Sequence, residues 1–173
     1  MTASSAAHGI DLALLRRVMG SFATGVTVIV AEAGGDIRGM TANAFMSGSL
    51  EPPLCVVSIA KRAHMHGHLA AAGKFSVNIL SIAQEELALH FAGRPTGGSP
   101  TAFQHRDGVP LLAEVASQLT ADIASTHDCG DHTLFVGAIR WVTASSRTPL
   151  VYHAGRFASL LPREETGALL EFW

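Results

Sequence analysis

Four short polar side chains crowd one stretch of the sequence: Thr41, Asn43, Ser47 and Ser49, set among Gly39, Met40, Ala42, Ala44 and Gly48. Small residues let a flat ligand lie close to the backbone, and hydroxyl and amide groups supply donors and acceptors without charge. Glu51-Pro52-Pro53 closes the stretch, because proline fixes its own φ and restricts the residue before it. Lys61 and Arg62 come next, directly after an apolar run and before a helical one. Two cations beside free backbone N–H groups suit an anion such as phosphate. A solvated pair of charges at a strand end explains them equally well. His132, in Gly130-Asp131-His132-Thr133, opens another strand; its plain reading is a turn histidine satisfied by Asp131 or Asp128. Together a small-residue shelf, an anion site and a rim histidine fit a flat phosphorylated heterocycle.

Other chemistries fit less well. His64, His66 and His68 suggest a metal, but on a helix His64 and His68 share a face while His66 points away. No Glu between them and no Cys pair completes a zinc set, so no metal is expected. A Ser-His-Asp hydrolase would want a G-x-S-x-G elbow, which is missing. Neither a G-x-G-x-x-G after a strand nor a Walker motif is present. Cys55 sits in an apolar strand and reads as core. Cys129 lies in a polar turn beside Asp128 and Asp131, whose charge disfavours a thiolate. Both read as reduced, which places the protein in the cytoplasm.

The elements that must position these groups follow from periodicity. Asp11 caps a helix over residues 12–20 with Leu12, Leu15, Val18 and Met19 on one face. Residues 26–30 form a β-branched, buried strand. Gly34-Gly35-Asp36 is a hairpin turn signal, and residues 37–44 return antiparallel. A strand over residues 54–60 precedes a helix over 64–72, which Gly73 ends. Residues 74–80 alternate, with Phe75, Val77 and Ile79 on one face. Ser81 then caps a helix carrying Glu85, Leu87, Leu89 and Phe91. The Gly/Pro-rich residues 93–100 are the candidate lid or dimer-crossing loop. A strand over 119–126, a turn over 127–132 and a strand over 133–142 follow. Residues 150–153 and 156–160 pair around Ala154-Gly155. Six or seven turn-linked strands with three short helices predict a closed antiparallel barrel with helices at its rims.

The 173 residues make one domain with a sizeable core. Hydrophobic residues are 48% and charged residues 15%, so extra buried surface and a homodimer are expected. Net charge is −2 with no run of Lys or Arg, which argues against nucleic acid and anionic membranes as partners. No apolar run reaches the roughly 20 residues that span a bilayer, and residues 1–9 lack the features of a signal peptide. The chain divides into a flexible start (1–10), a main domain (11–161) and a tail (162–173). Leu169, Leu170, Phe172 and Trp173 of that tail are candidates for docking on a partner subunit.

Several motifs in order give a further reading. They are Phe22-Ala23-Thr24-Gly25-Val26-Thr27-Val28, Gly39-Met40-Thr41-Ala42-Asn43-Ala44-Phe45 with Ser47, Ser49, Leu50 and Pro52-Pro53-Leu54, then Lys61-Arg62. Further on stand Phe75-Ser76-Val77-Asn78-Ile79-Leu80, His90-Phe91-Ala92-Gly93, Gly130-Asp131-His132-Thr133-Leu134-Phe135-Val136-Gly137 and Pro149-Leu150-Val151-Tyr152-His153. Over about residues 12–160 the chain resembles the short-chain flavin reductases with an FMN-binding split barrel, which serve two-component flavin monooxygenases. The resemblance implies a mainly β, antiparallel Greek-key split barrel of the flavin-reductase type.

It also implies an activity: NAD(P)H reduces FAD or FMN by hydride transfer, and the reduced flavin passes to a separate monooxygenase. FAD is expected over FMN, and NADH over NADPH. An extra phosphate of NADPH would need a cation such as Arg94, Arg106 or Arg156. By the same resemblance Met40, Thr41, Ala42, Asn43 and Ala44, with Ser47, line the flavin. Ser58, Ile59, Ala60, Lys61 and Arg62 hold its phosphate, His64 or His66 approaches the adenine end, and Phe91 and Ala92 cover part of it. His132 and Tyr152 face the nicotinamide. The chain departs from the family pattern at Ala44, Ala63 and His64, where small hydroxyls are usual. Ala44 costs one possible bond of about 1 kcal/mol. Two other readings stay open: a flavin-binding redox module without turnover, and a flavoenzyme that reduces its own substrate with bound flavin.

Overall fold

The computed structural model describes residues 9–94 and 102–160. The expected loop over 93–100 and the tail over 162–173 therefore lie largely outside the described residues. Helix α1 (Leu12–Gly20) is capped by Asp11, whose side chain accepts from Ala13 N at 2.8 Å. The short strand β1 (Thr24–Gly25) leads into β2 (Thr27–Ala33), which turns at Gly34-Gly35 into β3 (Asp36–Ala42). Both turn glycines have positive φ, the conformation that a Cβ disfavours.

Strand β4 (Phe45–Leu50) follows after two residues, then β5 (Pro53–Ala60). β4 is a correction to the sequence reading, which placed no strand between the one ending at residue 44 and the one starting at residue 54. Phe45, Ser47 and Ser49 alternate with exposed Met46, Gly48 and Leu50, but glycine and serine mask the period. Helix α2 (His64–Ala72) ends at Gly73 in the left-handed region (φ 70°), as expected. Strand β6 (Lys74–Ile79) comes next. Ser81 and Gln84 form a reciprocal capping box on a 3₁₀ turn (Ile82–Gln84) that runs into α3 (Glu85–Phe91). A small hairpin, β7 (Gln104–Arg106) and β8 (Val109–Leu111), precedes β9 (Ser117–Cys129) and β10 (His132–Ala144). β11 (Val151–His153) and β12 (Arg156–Ala158) flank Ala154-Gly155 as expected. The turn predicted over 127–132 shrinks to Gly130-Asp131. Ladder hydrogen bonds carry the polar, exposed end of β9 through to Cys129, where no hydrophobic signal marks a strand.

Seven strands form one antiparallel sheet in the order β3-β2-β6-β9-β10-β5-β4. The edge strands β3 and β4 are consecutive in sequence. Ala42 and Phe45, three virtual bonds apart, can be at most about 11 Å apart. Across a flat sheet the same edges would stand roughly 29 Å apart. The sheet must therefore curl until its edges meet. No ladder joins β3 to β4 among the described residues, so the closed barrel expected from the strand count is not formed. A seam is left open instead, and Asn43-Ala44 crosses it.

Both faces of β2 are covered, which is why its apolar run is nearly unbroken. Ile29 and Ala31 join Val57, Ile59, Phe75, Phe135 and, from α2, Met65 and Leu69. Val28 and Val30 join Leu80, Leu112, Leu150 and, from α3, Ala88. β6 departs from the predicted alternation for the same reason: Ser76 and Asn78 are as buried as Phe75 and Val77. Asn78 stays because every polar atom is used. Its amide donates to Val28 O and Ser76 Oγ, and its Oδ1 accepts from Leu112 N and Gln118 Nε2.

Candidate functional site

The open seam places two predicted groups of residues side by side. Ala44 O accepts from Ser58 N at 3.0 Å, binding the crossing segment to β5. Two residues on, Ala60 lies opposite His132 across the β5–β10 ladder. Lys61 N then donates to Asp131 O at 2.9 Å. Asn43, Ala44, Ser58, Ala60, Lys61 and His132 thus form one connected rim, although up to 89 residues separate them in sequence.

At the cation end of this rim Lys61 and Arg62 are exposed in the turn before α2. Lys61 Nζ stands 3.2 Å from Asp128 Oδ1. His132 Nδ1 is 2.7 Å from Asp131 Oδ1. That bond, with the positive field of His132 and Arg62, holds the Asp131 carboxyl below its usual range. Asp131 thereby fixes which ring nitrogen of His132 is left for a ligand: Nε2. The turn-histidine reading and the site reading are compatible, since one nitrogen serves each.

At the other end the seam opens into a cavity of about 650 Å³ lined by Thr41, Ala42, Asn43, Leu89, Ala92, Tyr152 and Phe157, with Glu85, Arg94 and Arg156. Thr41 is partly committed: its hydroxyl donates to Ala88 O of α3 at 2.7 Å, leaving a lone pair for a ligand. Thr27 Oγ1 donates to Ala42 O in the same way. The Tyr152 and Phe157 rings meet edge to face, 5.8 Å between centroids. A second cavity, of about 410 Å³, is lined by Phe91 and Met40, which do not line the larger one, together with Arg38, Gly39, His64 and His90. Phe91 lies so close to Gly39 that a Cβ there would sit 2.4 Å from the ring. The glycine is what lets α3 close on β3.

Three predicted residues stand elsewhere. The Ile59 side chain is fully buried in the core, and its backbone is laddered to Thr133. Ser47 faces the β4–β5 pairing opposite Cys55, outside the lining of both cavities. His66 turns inward: Nε2 is 2.9 Å from Thr133 Oγ1 and its ring meets Phe135 edge-on. On the short helix α2 the inward face of His66 follows from the 100° step between residues, and Thr133 offers it a buried partner. Two of the three arginines singled out as phosphate candidates, Arg94 and Arg156, line the larger cavity, while Arg106 packs over Trp141 instead. Glu85, Leu89 and Phe157 were missed. Phe157 was readable, because a two-residue turn puts it opposite Tyr152.

A family model described as flavin reductase like domain matches residues 19–161. The chain belongs to the flavin reductase family. An NADH-dependent flavin reductase of a Rhodococcus species is 41% identical over 156 residues, covering 87% of this chain and 89% of the relative. The reductase component of 4-hydroxyphenylacetate 3-monooxygenase from Thermus thermophilus is 40% identical, covering 79% and 89%. Among solved structures, the NADH:FAD oxidoreductase of Streptomyces globisporus in complex with NAD and FAD fragments superimposes with a TM-score of 0.81. That enzyme is 38% identical, with 88% of this flavin reductase chain and 94% of the other covered.

Proposed function

We propose that this chain is an NADH-dependent flavin reductase that reduces FAD along the seam and passes it to a separate monooxygenase. The observation that carries the reading is the seam itself. It joins a two-cation turn to a cavity large enough for a ring system, and it lies within the stretch that matches the family. The donor set fits a flavin: Thr41 and Asn43 offer neutral polar atoms to a ring edge, and Lys61 and Arg62 offer charge to a phosphate. Flavin supplies the hydride-accepting chemistry. The protein's part is to hold two rings in register.

In this reading Met40 to Ala44 form the ledge, and Ser58, Ala60, Lys61 and Arg62 hold the phosphate. Phe91 and Ala92 flank the ring. His132 and Tyr152 position the nicotinamide. His132 moves no proton in the hydride step, so it acts as a positioning group.

The working form is a homodimer. The apolar face of α1 supports this: no residue of the helix is buried, and Leu12, Val18 and Met19 are at least 58% exposed. No helix among the described residues is long and apolar enough to cross a membrane. Cys55 and Cys129 are unpaired, which supports a reducing cytoplasm.

The test is oxidation of NADH and NADPH by the purified protein with FAD, FMN and riboflavin in turn. Turnover that rises with added FAD is expected. Yellow protein that leaves NADH unoxidised overturns the reading, and so does activity that needs no added flavin.

A further inference from the structure

We propose that Arg94 and Arg156 form a clamp for the diphosphate of the dinucleotide that delivers the hydride; this rests on the function proposed above. The two guanidiniums come from different elements. Arg94 follows the C-terminus of α3, and Arg156 opens β12 directly after the Ala154-Gly155 turn. Both line the same cavity as Thr41, Asn43 and Tyr152.

Elsewhere on the surface Arg38, Lys61 and Arg140 each sit within 3.2 Å of a carboxylate. Among the described residues the guanidiniums of Arg94 and Arg156 are in no ion pair, although the Arg94 backbone N–H donates to Leu89 O. Among the described residues Glu85 is the one acid on the cavity wall, against two arginines, so this part of the lining keeps a net positive charge. Two arginines on the wall of one cavity match the oxygens of a diphosphate, since a planar guanidinium can take each phosphate.

The flavin's phosphate already has its own cations in Lys61 and Arg62, at the far end of the seam. A donor whose nicotinamide lies by Tyr152 would trail its diphosphate past this hairpin. The turn residues Ala154 and Gly155, both at positive φ, bend the chain so that Arg156 returns beside the cavity.

The experiment compares wild type with Arg94→Gln, Arg156→Gln and the double variant. Hydride donors are NADH, NADPH and 1-benzyl-1,4-dihydronicotinamide, which has no phosphate; acceptors are FAD and riboflavin. The expected result is a KM for NADH about tenfold higher in each single variant and higher again in the double. The expected kcat is nearly unchanged, as is the KM for the phosphate-free donor. Unchanged thermal midpoints would show that the fold is intact.

An unaltered KM for NADH in the double variant overturns the clamp, while wild-type turnover leaves the proposed function standing. A rise confined to NADPH assigns the arginines to the 2′-phosphate and overturns the diphosphate assignment. A rise confined to FAD, with riboflavin and NADH unaffected, gives them to the flavin and also overturns it. Wild-type protein that oxidises no donor fails the function itself.

Discussion

His132 and Asp131 form a bonded pair: the 2.7 Å bond between them orients the ring and lowers the pKa of the carboxyl. A carboxyl whose pKa is depressed by folding contributes above its unfolded value and loses that contribution as pH falls through the folded value. A carbon-detected titration of Asp131 should therefore show a midpoint below 3.8. In His132→Ala the midpoint should climb back toward 3.8. If Asp131 sets the ring, Asp131→Asn should raise the KM for NADH roughly two- to fivefold with little change in kcat, a modest effect because the pair is solvated. The two cysteines give a second residue-scale test. Burial pushes the Cys55 thiol up to about 11, whereas Cys129 is exposed. A thiol-reactive dye at neutral pH should label Cys129 in the native protein and reach Cys55 only after denaturation.

Two glycines, at the level of elements, separate stability from site geometry. Gly137 lies in β10, where a Cβ would sit 2.7 Å from the Phe75 ring and 2.9 Å from Ala121 Cβ. Phe75 is wholly buried and has no room to yield. Gly137→Ala should cost about 1–3 kcal/mol by overpacking, read as a lower denaturant midpoint with the slope unchanged. Gly39→Ala meets Phe91 instead, which is only half-buried at the end of α3. Its ring can swing into the second cavity. The expected outcome is weaker FAD binding, seen as a higher KM for FAD, with a smaller loss of stability than in Gly137→Ala.

On the scale of the whole molecule, the described residues show an imbalance that they do not correct among themselves. Exposed apolar residues gather on α1 and its flanks: Ile10, Leu12, Leu14, Leu15, Val18, Met19 and Phe22. An amphipathic helix normally spends its apolar face on a core, but this one has no buried residue. In the proposed homodimer a second subunit would cover that face. Sedimentation should give twice the 18.1 kDa of one chain, and Leu15→Lys with Met19→Lys should reduce it to one. A wild-type mass of 18.1 kDa would remove the dimer from the proposed function.

The local signals settled much of this protein in advance. Caps and breakers set helix ends, as Asp11 and Gly73 do, because a helix terminus is decided by a few neighbouring backbone groups. The β-branched run of β2 marked a buried strand, and the small-residue stretch supplied Thr41, Ala42 and Asn43 to a cavity wall. Motif order along the chain carried the family. What remained was decided by pairings distant in sequence. Only the strand order puts β3 and β4 at opposite edges, and only the short link at Asn43-Ala44 forces those edges together along an open seam. Packing then reassigned individual residues: Ile59 went to the core and His66 to a half-buried bond with Thr133, while Arg94 and Arg156 came to share a cavity wall 62 positions apart. Side-chain direction depends on register and on what packs from the far end of the chain, and neither is written in the residues on either side.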